Sequence, residues 1–316
     1  MTLYGCLTDL VDVNKTIDNS VQRAAFMKGL EWPDKSEIKI YFIKEQQVNY
    51  KNQVVTNKYS DKVAKFVMDI ITKHISPLVN LKFKWDITDP SITQENSDVR
   101  IMFVPELGAW SQLGTECLTI PKNEATMCLG WVDSDSDYDD IIYKGTGIVV
   151  VHEFGHMLGM IHEHSREDAT IKWNDEFVIQ KLGGPPNNWS PEEVKTQMFN
   201  IVKLNQFNGS EYDPKSVMHY FFPNDFFLNK PDLPKVTELS CLDKTWLNKQ
   251  YPGKIFDTTC SDNKENNTGQ TKNSENSISK QIIYILKNHL YVIIIGICVL
   301  LLLFMLFDKI TEKNNY

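Results

Sequence analysis

An α+β fold is the class this sequence predicts, and three observations predict it. Short β-branched and aromatic runs flank one amphipathic helical segment in the first hundred residues, a second and more apolar helix follows in the middle, and a loop-rich later part closes on one more helix. The chain has 316 residues, 42% of them hydrophobic and 23% charged, which is enough to bury a full core. Its net charge of −8, with the basic residues scattered, argues against a nucleic-acid partner.

Residues 1–31 read as an N-terminal arm or a pro-segment. Asp9 and Asp12 interrupt the apolar start, so no cleavable secretory signal is expected. Cys6 is the one cysteine of this stretch. Beyond Trp32-Pro33, residues 38–43 (Ile-Lys-Ile-Tyr-Phe-Ile) have strand composition. Between residues 58 and 75, Val63, Phe66, Val67, Ile70 and Ile71 recur at helical spacing, and that helix must end before Pro77. His74 falls in its last turn, where a cation faces the negative helix end.

Residues 81–85 alternate strictly, and residues 99–104 form a further strand. Residues 118–120 and 126–131 read as the edge region of the same sheet. The dense acidic run at residues 133–140 is a solvated loop or, as the alternative, a calcium (Ca²⁺) site. Residues 145–158 supply the second helix, led in by Ile148, Val149, Val150 and Val151. Beyond it, one helix is expected from the N-cap Ser190 through Pro191 to about Leu204. A last one opens at Ser240.

The second helix carries His-Glu-x-x-His-x-x-Gly-x-x-His, with His152, Glu153, His156, Gly159 and His162 at the fixed positions. Residues four apart on a helix lie one turn above each other, so His152 and His156 present two imidazoles on one face. Gly159 can adopt the left-handed conformation that ends a helix, letting His162 swing back as a third nitrogen ligand. Three neutral imidazoles and one open position describe a catalytic zinc (Zn²⁺) site, and Glu153 is placed to take a proton from water there.

This motif resembles the signature of the metzincin zinc endopeptidases, and Glu163 and Arg166 extend the resemblance to the astacin family. Two later blocks resemble that family as well: Ser-x-Met-His-Tyr at residues 216–220, and Leu-Ser-x-x-Asp with the following Leu, Asn and Tyr at residues 239–251. The resemblance implies a zincin-like metzincin fold. Its N-terminal subdomain holds a twisted, mostly parallel sheet with two long helices, and its irregular C-terminal subdomain ends on a final helix, the catalytic domain running over residues 32–255. It implies a zinc metalloendopeptidase whose peptide or protein substrate pairs in extended form with an edge strand.

Residue by residue, the resemblance makes His152, His156 and His162 the metal ligands and Glu153 the general base. Met218 becomes the apolar floor beneath the site. Tyr220 becomes a further ligand or a donor to the oxyanion, set against a plain structural tyrosine. His219 is expected to pack or to support the ligands. Glu163 would meet a matured N-terminus, and Cys6 would be a candidate thiolate latch over the zinc, to be tested by deleting residues 1–30. Three departures stand: Met160 where an aromatic is usual, Arg166-Glu167-Asp168 following the family pattern in part, and Pro252-Gly253 where a disulfide cysteine often stands. The alternative function is an inactive, zinc-binding, membrane-anchored binding or structural protein on a protease scaffold.

Six cysteines are present; Cys117 and Cys128 can bridge, but reduced thiols are the favoured reading. Residues 256–288 are polar and read as a flexible linker. Residues 289–307 form an apolar run long enough to span a bilayer, leaving 308–316 as a short tail. Without a signal, this reads as a single-pass C-terminal tail anchor with the catalytic domain in the cytosol. The abundance of Asn, Lys and Ile suits an AT-rich genome such as that of a large DNA virus, so the membrane would be viral or host.

Overall fold

The computed structural model describes residues 26–253 apart from 46, 51–52, 133–145, 185–186, 220–221 and 232. The acidic run, the linker and the candidate anchor at 289–307 lie outside the described residues, as do Cys6 and Tyr220. Among the described residues, no helix is long and apolar enough to cross a membrane.

A sheet of five strands forms the first half, in the order β5 (Lys82–Trp85), β2 (Glu37–Phe42), β6 (Val99–Met102), β8 (Met127–Leu129), β7 (Ala109–Ser111). The first four run parallel, and only β7 is antiparallel. In β2, Ile38, Ile40 and Phe42 are buried while the intervening positions are less so, the period-two pattern of a covered face. Helix α1 (Asp61–His74) packs Val63, Ala64, Val67, Ile70 and Ile71 inward and is capped by Ser60, whose side chain accepts from the Val63 amide. Burial and the neighbouring Lys73 lower the pKa of His74 to about 4, so Lys73 rather than His74 supplies the positive charge in the last turn of α1.

The edge strand corrects the sequence reading. Residues 118–119 lie in a short 3₁₀ segment, Gly114–Thr119, and β8 sits inside the sheet between β6 and β7. The outer strand on that side is β7, opposite β5 at the other edge; it has three residues flanked by Gly108 at φ +71, too short for a periodic pattern to register. A hairpin of β3 (Gln47–Tyr50) with β4 (Gln53–Thr56) is likewise absent from the sequence reading.

Helix α2 (Gly147–Met157) is all but surrounded. Val150, Val151, Phe154 and Met157 are fully buried, and the Phe154 ring meets Phe83 edge-on at 6.4 Å and Trp85 at 6.0 Å. Downstream, α3 (Asp175–Leu182) and α4 (Pro191–Val194) pack with Phe222, Phe226 and Phe227 in a second apolar cluster. Ser190 does cap α4, in a reciprocal capping box with Glu193. The helix does not reach Leu204: it widens into a π turn over Lys195–Phe199, and Asn200 is already extended. The final helix, α5 (Cys241–Gln250), starts at Ser240 as expected.

Residues 26–31 are part of this body. Strand β1 (Phe26–Met27) pairs antiparallel with β9 (Phe207–Asn208) and bridges to Met160. Phe26 is fully buried. Cys117 and Cys128 are free and buried, and burial pushes both thiols up to about 12. Cys241 is disulfide-bonded.

Candidate active site

Helix α2 ends where the motif says it should. The Gly159 amide closes on His156 O at 2.7 Å and the Met160 amide on Gly155 O at 2.9 Å, with Gly159 at φ +97, a conformation that favours glycine. Two side chains from remote segments satisfy carbonyls of this last turn: Trp32 Nε1 donates to Met157 O at 2.8 Å, and the Tyr251 hydroxyl donates to Leu158 O at 2.6 Å. The reversal brings His162 back to the helix face.

His152, His156 and His162 converge, with their ligand atoms all within 4.8 Å of one another. His156 Nε2 and His162 Nε2 are 2.9 Å apart. Nitrogens sharing one zinc at about 2.05 Å and a tetrahedral angle lie about 3.4 Å apart, so the cluster is of the right size. The other ring nitrogens are turned away: His152 Nδ1 lies 2.8 Å from Val217 O and His156 Nδ1 2.7 Å from Met160 O. Each carbonyl selects the tautomer with hydrogen on Nδ1 and leaves Nε2 as a lone-pair donor to a metal. Burial lowers the pKa of His152 to about 4 and holds His156 and His162 well below 6.5, so all three are neutral at pH 7. The donor set therefore fits zinc.

Glu153 is 1% exposed and adjoins the first ligand on α2. Met218 lies under the helix: a Cβ on Gly155 would come within 2.6 Å of Met218 Sδ, so only glycine admits this approach. The Glu163 amide donates to Met218 O at 3.0 Å, joining the third-ligand loop to the methionine turn. His219 is not drawn into the cluster; its Nε2 lies 2.7 Å from the Tyr212 hydroxyl. Tyr220 lies outside the described residues.

Glu163 has an internal partner. Its Oε1 accepts from Arg166 Nη1 at 2.8 Å and from the Asp213 amide at 2.7 Å. Arg166 also forks onto Asp168 at 2.9 and 2.8 Å and donates to Ser210 O at 2.6 Å. Burial raises the pKa of the Glu163 carboxyl, while Arg166 and the Asp213 amide pull it down. Among the described residues, the groups that meet the Glu163 carboxyl are Arg166 and the Asp213 amide.

Several residues that shape the site were not assigned that role from sequence. Val217 and Met160 act through their carbonyls, which no residue type advertises. Trp32, Tyr251 and Asp243 stand in recognisable blocks, but what their side chains touch depends on chain folding. Burial raises the pKa of Asp243, opposed by the amide of Val217 and the hydroxyl of Ser216.

Comparison with known proteins agrees with this geometry. Residues 32–237 match the astacin family of peptidases. Over 102 residues the chain is 37% identical to the zinc metalloproteinase nas-13 of Caenorhabditis elegans, a stretch covering 31% of this chain and 19% of that protein. The chain therefore spans about a fifth of the length of this curated relative. Among solved structures it is similar to myroilysin, with 28% identity and a TM-score of 0.62 over 73% of this chain and 100% of that one. With more than half of its length matched, and with the histidine cluster, the buried methionine turn and the mostly parallel sheet in place, the chain belongs to the astacin family.

Proposed function

We propose that this chain is a zinc-dependent metalloendopeptidase that hydrolyses peptide bonds while tethered to a membrane. The observation that carries the catalytic part is the buried cluster of His152, His156 and His162, with two of its rings turned by backbone carbonyls so that Nε2 is left for a metal. Zinc held there supplies a Lewis acid and lowers the pKa of bound water from about 16 toward about 7. Glu153 accepts the proton of the attacking water and returns it to the leaving amine. Tyr220, two residues beyond Met218, donates a hydrogen bond to the developing oxyanion. Strand β7, at the edge of the sheet, is where an extended peptide adds.

Glu153→Gln tests this reading. It should bind zinc like the wild type while cleavage of a peptide library falls about 10²- to 10⁴-fold. A fully active variant would remove Glu153 from the mechanism. Activity of the wild type that survives exhaustive chelation would remove the metal.

The tether is residues 289–307, joined by the polar stretch 256–288. As a C-terminal tail anchor it leaves the catalytic domain in the cytosol, whereas the disulfide at Cys241 favours an oxidising compartment. Protease protection of residues 32–255 in intact membranes separates the two: digestion from the cytosolic side supports the tail anchor, and protection supports the oxidising side. Recovery of the intact chain in the soluble fraction would refute the tether.

A further inference from the structure

His152 and His156 are each oriented by a carbonyl, but the two carbonyls differ in origin. Met160 O lies on the loop into which α2 runs, four residues from His156. Val217 O lies 65 residues from His152, on a turn with no regular secondary structure of its own. One side chain grips that turn. Asp243 Oδ2 accepts the Val217 amide at 2.8 Å, and Asp243 Oδ1 accepts the Ser216 hydroxyl at 2.7 Å. The Ser216 oxygen in turn accepts the Met218 amide at 3.1 Å. The peptide unit that offers Val217 O to His152 is therefore held at its own N–H by Ser216, and the preceding unit is held directly by Asp243.

Asp243 also has a helix to cap. It is the third residue of α5, where it completes a reciprocal capping box with Ser240: the Ser240 amide donates to Oδ2 at 2.9 Å and the Asp243 amide to Ser240 Oγ at 3.0 Å. A capping box needs only the N-cap amide. Here the same carboxylate, 4% exposed, takes a second amide and a hydroxyl from the methionine turn.

We propose that Asp243 is a positioning residue for the metal site, acting through Ser216 and Val217 to hold the carbonyl that orients His152. This rests on the reading of the three histidines as a zinc site. An acceptor that fixes a ligand imidazole makes the ring's direction independent of the metal, and losing such support typically costs about 10- to 100-fold in metal affinity. Asp243 lies one step further out, so the lower end of that range, about tenfold, is expected.

The test uses the full chain and measures zinc affinity by competition with a chromophoric chelator, alongside thermal stability. Asp243→Ala should weaken zinc binding about tenfold. Asp243→Asn can still offer its amide oxygen to both backbone amides and its NH₂ to the Ser216 oxygen, and should stay within about threefold of the wild type. Leu247→Ala, a buried position one turn along α5 from Asp243 that takes no part in the hydrogen bonds to the methionine turn, should lower Tm at least as far while leaving zinc affinity within the same threefold. Wild-type affinity in Asp243→Ala would overturn the proposal. So would a loss in Leu247→Ala matching that in Asp243→Ala, which would mean general loosening, or an equal loss in Asp243→Asn, which would mean a charge effect. Should Asp243→Ala fail to fold, Ser216→Ala removes the hydroxyl bridge alone, and unchanged zinc affinity there would overturn the proposal. A wild-type chain that binds no zinc would remove the underlying reading with it.

Discussion

The part of the molecule before Gly159 and the part after it each hold backbone around the histidine cluster, by different means. Before Gly159, parallel strands and two helices present apolar faces to one core, and the guanidinium of the buried cation Arg100 donates, among the described residues, to carbonyls, Glu124 O at 2.6 Å and Ile120 O at 3.1 Å among them. After Gly159 the buried cation is Arg166, and it meets carboxylates, Glu163 and Asp168. Glu163 and Asp213 join the third-ligand loop to the methionine turn, and Asp243 joins that turn to α5. Where regular structure pairs most of the backbone, side chains fill only the gaps at strand ends and edges, as Asn57 does for the Phe103 amide and Asp98 for the Lys39 amide. Where the chain is irregular, side chains must supply the missing partners.

The two parts should therefore break differently. The largest effect is expected from acid acting on the seam between them in zinc-stripped protein. An unfolded histidine binds its proton near 6.5, whereas burial lowers His152 to about 4, so stability is full above pH 6.5 and falls as pH drops from 6.5 toward 4. Each such histidine contributes up to roughly 1.4 kcal/mol per pH unit across that window, and His156 and His162 shift in the same direction. Urea melts of the chelated protein at pH 7 and pH 4.5 measure it; equal stability at the two values would contradict the buried, neutral cluster.

Next comes Arg166→Met, which strands the Glu163 carboxylate without its cation and should cost about 3–5 kcal/mol. Denaturant unfolding reads this directly, and a cost below about 1 kcal/mol would deny the polar network its part in holding the second half. At the seam, Gly155→Ala drives a methyl group to 2.6 Å from Met218 Sδ and should cost about 1–3 kcal/mol through overpacking, with zinc affinity lowered in parallel. The smallest effect belongs to the first half: Ile101→Val in β6 removes one methylene from a fully buried site and should cost about 0.5–1.5 kcal/mol, without altering zinc binding. If Ile101→Val proved more damaging than Arg166→Met, the contrast between the two parts would be wrong.

Legibility from sequence follows the same division. Strand β2, helices α1 and α2 and the start of α5 were readable because periodicity and caps are local signals. Strand β7 escapes a sequence reading because three residues next to a glycine carry no period, and α4 ends short of Leu204 because Ser190 and Pro191 mark only where a helix begins, while nothing in the sequence marks the π turn at Lys195–Phe199 or the extended Asn200. The ligands were legible because helix pitch alone places His152 above His156. Their supports were not, because a carbonyl such as Val217 O looks the same in every sequence.

By itself, then, the sequence determined the ligand set, the glycine that turns the chain toward His162, and the family. Those depend on residue type and on spacing within short stretches of the chain. Only the tertiary structure decided that Trp32 and Tyr251 close the end of α2, that Arg166 occupies Glu163, and that Asp243 reaches the turn behind His152. Each of these joins groups far apart in the chain, and a hydrogen bond is formed by proximity in space, which no local pattern of residues encodes.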